Sequence, residues 1–111
     1  MRHQVINPDD SNMKLLSIHE GMPVYDLIVD KVGSVKYVQF SDDSLDREQN
    51  LQDADVKNAP EPIRQRLLES GYIRINTGLL HKDLFATADQ IEEVVDNGVY
   101  LHRLREELLT L

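Results

Sequence analysis

Apolar and polar residues alternate most cleanly over residues 72–77, YIRINT, where Ile73 and Ile75 share one face and Arg74 and Asn76 the other; this predicts a strand. Upstream, residues 22–25 and 33–40 form two further short runs rich in β-branched and aromatic residues, entered through a Gly21-Met22-Pro23 step. Within the second run the apolar parity shifts. Val35 and Tyr37 share one face, whereas Val38 and Phe40 start from the other, as a β-bulge would produce. Residues 84–86 resume an extended run, and Thr87 with Gln90 has capping-box spacing for one helical turn. Asn97-Gly98, between the runs 91–95 and 99–101, is the strongest hairpin signal in the chain. A type I′ turn there predicts Asp96 opposite Val99, Val95 opposite Tyr100, Val94 opposite Leu101, Glu93 opposite His102 and Ile91 opposite Leu104.

Helical signals are fewer. Pro60 and Pro62 precede IRQRLLES and Gly71 follows it, so one short helix ends just before Gly71, with Ile63 and Leu67 on its buried face. Leu104, Leu108 and Leu111 repeat at helical spacing and predict a short C-terminal helix over 104–111, packed either on the last hairpin or across a dimer. Residues 1–13 lack any period and read as a flexible N-terminal arm before a domain at 14–103. Residues 41–59 read as a long acidic surface connection, because Leu45, Leu51 and Val56 are too sparse to define a core face.

Composition narrows the function classes. At 111 residues the chain supports one domain, and 41% apolar with 29% charged residues is ordinary for a folded protein. Twelve basic against twenty acidic residues give a net charge of −8, which repels nucleic acid and anionic membrane surfaces. The absence of cysteine removes disulfides, thiolate nucleophiles and Cys-based metal centres. No run of signal-peptide or membrane-spanning length is present, so the expectation is a cytoplasmic protein without membrane insertion.

No nucleotide-binding, metalloprotease or serine-hydrolase motif occurs, and the expectation is a non-enzyme without cofactor or metal. The best chemical cluster is Thr77 with His81, Lys82 and Asp83, which could bind a small anion or assist proton transfer; the competing reading is a solvated loop. A metal site from His19, Glu20, His81 and His102 would need long-range convergence that their spacing does not predict.

The segments I-x-x-G-M-P-V-Y-D, V-G-S-V-K-Y-V-Q-F, G-Y-I-R-I-N-T-G and I-x-x-V-x-x-N-G-V-Y-L together resemble the PRC-barrel family over roughly residues 15–103. That family is named for a domain of the photosynthetic reaction centre H subunit, occurs at the C-terminus of a ribosome maturation factor, and includes small stand-alone bacterial and archaeal proteins. The resemblance implies a mainly β fold, a small, strongly bent barrel of five to six strands, used for protein–protein contact and without a general catalytic site. Two departures stand out: the long acidic connection, which permits exchange of halves between chains, and the first hairpin tip. Leu27, Ile28 and Val29 replace the usual polar tip, and either fold back onto the barrel or form a contact surface.

The expected function is therefore a non-enzymatic interaction or adaptor module, a homodimer or partner of another protein. Leu27, Ile28, Val29, Tyr100, Leu104 and Leu108 are its candidate contact residues. The alternatives are a small-ligand or weakly catalytic protein using the 77–83 loop, and an RNA- or ribosome-assembly factor.

Overall fold

The computed structural model describes residues 8–41 and 51–111, with side chains from residue 12 onward. Six strands make one mixed sheet: β1 (Pro23–Tyr25), β2 (Lys31–Gln39), β3 (Tyr72–Asn76), β4 (Leu84–Thr87), β5 (Ile91–Val95) and β6 (Gly98–Leu101). Their spatial order is β4-β3-β2-β1-β6-β5, antiparallel throughout except for the parallel β1–β6 pair. Among the described residues three helices accompany the sheet: α1 (Pro8–Leu16), α2 (Ala54–Lys57) and α3 (Glu61–Ser70). No ladder joins β4 to β5 among the described residues, so the sheet is open where a closed barrel was expected. Yet these two edge strands are consecutive, linked only by the 3-10 turn Ala88–Gln90. Four residue steps reach about 14 Å at most, so the sheet must curl until its edges are near neighbours.

Curling gives the sheet an inner and an outer face. The inner core holds Leu15, Val24, Val35, Ile73, Ile75, Ile91 and Val99, all essentially inaccessible. On the outer face, Tyr72 and Phe85 pack under α2 and α3 with Leu51, Val56, Leu67 and Leu68. Strand alternation assigns the residues: Ile73 and Ile75 go inward, Tyr72 and Arg74 outward. The parity shift in β2 is a bulge between Val35 and Tyr37, which lets Val35 and Val38 both meet the inner core while Tyr37 joins the outer one.

α3 begins at the expected prolines and ends at Gly71, whose φ of 76° favours glycine. A Cβ there would also lie 2.7 Å from the Ser41 nitrogen and 2.8 Å from Leu15 Cδ1, so glycine is required twice over.

Several expectations need correction. Residues 8–13 are not a loose arm but most of α1, which carries Leu15 into the core; Asn12 Oδ1 accepts from the Ser41 N–H and hydroxyl, and Lys14 Nζ donates to the Ile91 carbonyl. Residues 1–7 and 42–50 lie outside the described residues. The remainder of the acidic connection is not surface chain: Leu51 and Val56 are buried in the outer core, and Asp53 caps α2 through the Asp55 N–H. The turn of the last hairpin sits one residue earlier than expected, which moves the partners of Glu93, Val94 and Val95 by two. Asp96 and Asn97, with φ of 51° and 61°, are the turn residues, so Gly98 enters the strand opposite Val95, Val94 faces Val99 and Glu93 faces Tyr100. No C-terminal helix forms. A 3-10 turn at Arg105–Glu107 is closed by Glu107 Oε1 accepting from the Leu104 N–H, and the chain then extends so that Phe85 and Leu109 exchange backbone hydrogen bonds. Extension sends Leu108 to the inner core and Leu109 and Leu111 to the outer one, which a helix could not do.

Candidate functional site

The first hairpin tip is built on a buried carboxylate. Asp26, 4% exposed at the end of β1, accepts through Oδ1 from the N–H groups of Ile28 and Asp30, at 3.1 and 3.0 Å, and through Oδ2 from the Arg105 N–H at 3.2 Å. The Leu27 N–H donates to the Arg103 carbonyl and the Val29 N–H to the Asp26 carbonyl. With its backbone satisfied, the tip turns Leu27, Ile28 and Val29 outward, each more than half exposed. Val29 adopts φ of 65°, a conformation that costs a β-branched residue about 1–2 kcal/mol. The tip is thus aliphatic, exposed and strained, on a backbone frame whose hydrogen bonds are satisfied.

A second apolar projection leaves the same end of the sheet. In the 77–83 loop Leu79 and Leu80 are almost wholly exposed. Lys31 and Gly33, beyond the tip, and Thr77 and Gly78, before the two leucines, line one open cleft of about 430 Å³ with Arg105. The two apolar projections therefore flank a shared depression.

The four weak ligand candidates do not converge as a site. Thr77 Oγ1 donates to the Lys82 carbonyl, closing its own loop, and Asp83 is taken up by cations elsewhere. His81 and Lys82 are exposed, bordering a depression of about 250 Å³ beside Arg74 and Phe85.

Arg74 binds three carboxylates at once. Its three nitrogens reach Asp53 at 2.6 Å, Asp55 at 2.6 Å and Asp83 at 2.7 Å, and its guanidinium lies 5.1 Å from the Phe85 ring centre. Lys36 also binds Asp83 at 3.0 Å, and the Tyr72 hydroxyl donates to Asp53 at 3.2 Å. Burial disfavours the Arg74 charge, but the bonds to Asp55, Asp83 and Asp53 outweigh it and raise its pKa. Burial and the Asp53 charge push Tyr72 strongly upward, and Tyr37 moves the same way. Each guanidinium nitrogen is bound to a carboxylate, and Tyr72 is held protonated. This cluster fastens α2 and the 77–83 loop to the sheet.

No family model, curated protein or solved structure matches the chain.

Of the other candidate contact residues, Tyr100 is half-exposed and stacks on Tyr25, with ring centres 5.0 Å apart and planes at 19°. Leu104 is half-buried, and Leu108 belongs to the inner core. His102 does not face Glu93: its Nε2 donates to the Asp89 carbonyl and its Nδ1 accepts from Arg103. Among the described residues no group of three acidic or histidine side chains is arranged to hold a metal, and no helix is long and apolar enough to cross a membrane. Asp26, Leu79 and Leu80 escaped the sequence reading. The leucine pair beside Gly78 was a legible signal for the second projection; Asp26 gave none beyond its place before an apolar tip.

Proposed function

We propose that this chain is a non-catalytic protein-docking module of PRC-barrel type, which self-associates through the apolar end formed by Leu27, Ile28, Val29, Leu79 and Leu80. The observation that carries the reading is the exposure of five large aliphatic side chains on two loops at one end of the sheet, one loop held in a strained conformation by buried Asp26. The curled six-stranded sheet, with its edges joined by a single 3-10 turn, supports the PRC-barrel likeness. A net charge of −8 favours a protein surface over nucleic acid as the partner.

Light scattering coupled to size exclusion, run over a dilution series, tests this. Wild type is expected as a dimer, and Ile28→Asp is expected to weaken association at least about 30-fold, the equivalent of a 2 kcal/mol hot spot. Leu79→Asp is expected to act in the same direction. A dimer indifferent to both substitutions removes this end as the interface. The small-ligand reading keeps one supporting observation, His81 and Lys82 beside the Arg74 depression. Loss of small-anion binding in Lys82→Ala would favour it.

A further inference from the structure

The end of the sheet that carries the apolar projections also carries charges of both signs. Lys31 and Arg105 line the cleft of about 430 Å³ that the projections flank, and both are exposed. Asp30, at the close of the hairpin tip, is exposed as well. None of these three side chains forms an ion pair among the described residues. The other acid of the tip, Asp26, is already committed to the N–H groups of Ile28, Asp30 and Arg105. Glu106, next to Arg105 in the chain, lies outside the cleft lining. Because the Asp26 bond holds the Arg105 backbone beside the tip and Lys31 directly follows Asp30, the three charges share one patch with Leu27, Ile28 and Val29.

An interface between two copies about a two-fold axis sets one patch against itself, so that patch must be self-complementary. Two cationic clefts brought face to face repel, and their charges lose water, unless a negative group meets them. Each copy supplies such a group in Asp30. Two chains of net charge −8 also repel at long range, and cations at the docking end offset that repulsion where contact forms. Resting on the self-association proposed above, we infer that the docked pair is a two-fold dimer in which Asp30 of each copy pairs with Lys31 and Arg105 of the other. The aliphatic side chains then supply the contact area, and these three charges select a second copy over other apolar surfaces.

Exchanging charges between two full-length chains tests this. One chain carries Asp30→Arg and the other carries Lys31→Glu with Arg105→Glu; all three positions are exposed, and far-UV circular dichroism is expected unchanged in both. Either chain alone sets like charges together at both contacts, and each is expected to self-associate about tenfold more weakly than wild type in the dilution series. Mixed in equal amounts, the two are expected to form a heterodimer within about threefold of wild-type affinity, because both contacts again join opposite charges; native mass spectrometry separates it from the homodimers by mass. Homodimers of wild-type strength, or weakened chains that do not recover on mixing, would overturn the pairing, and dissociation by Ile28→Asp in the same series would show that the apolar docking reading survives it. A monomeric wild type, or a dimer indifferent to both Ile28→Asp and Leu79→Asp, removes the docking reading and this inference with it.

Discussion

Arg74 shows how a single residue can look functional and be structural. Its position in an alternating strand was legible, but its three aspartate partners come from α2 and the 77–83 loop, and no local pattern announces that meeting. Replacing it by leucine would strand Asp53, whose side chain is only 4% exposed, and is expected to cost about 3 kcal/mol in urea unfolding. Asp83 adds a pH dependence. Burial alone would push its pKa up, but the bonds from Lys36 and Arg74 prevail and hold it below the ordinary carboxylate value. A carboxyl with a depressed folded-state pKa contributes stability above its unfolded value and loses that contribution as pH falls through the folded one. Stability should therefore decline on acidification below about pH 4, and Asp83→Asn should flatten that decline in a series of urea midpoints. Tyr72 has the opposite sign: its raised pKa means stability lost above about pH 10, as the unfolded tyrosine ionises first.

Among elements, those fixed by local chemistry were the readable ones. The strand at Tyr72–Asn76 follows from alternation, and α3 from Pro60, Pro62 and Gly71. The last hairpin was found but misregistered, because Asp96 and Asn97 accept positive φ and Gly98 is placed in the strand beside Tyr25 and Tyr100. The C-terminal leucines have helical spacing, yet the competition between two cores for Leu108 and Leu109 favours an extended chain. α1 has too few apolar residues to show a period, and Leu51 and Val56 are buried only because α3 and Tyr72 lie beneath them. The tip between β1 and β2 offers a test at this scale. Val29→Gly removes the positive-φ strain and is expected to raise stability by about 1 kcal/mol by urea unfolding, while weakening self-association in the dilution series. A tip shaped only for folding would show the gain without the loss.

At the scale of the molecule, one strongly curled sheet serves two cores, and the candidate docking end lies where that arrangement leaves two loops and a cleft at its margin. The sequence pattern implied the curl through the β2 bulge, but not the outer core, whose α2 and C-terminal contributions come from segments without periodicity. The parallel pairing of β1 with β6 carries a kinetic consequence. It joins Val24 to Val99 and stacks Tyr25 on Tyr100 across almost the whole domain, whereas β1 with β2, β3 with β4 and β5 with β6 pair across short connections, and β2 with β3 across the shorter span 40–71 that holds α2 and α3. Closing so long a loop costs about 4 kcal/mol of chain entropy, so this seam is the natural last step of folding and the first place to open. Tyr25→Ala should then hasten unfolding in stopped-flow experiments and leave the refolding rate nearly unchanged.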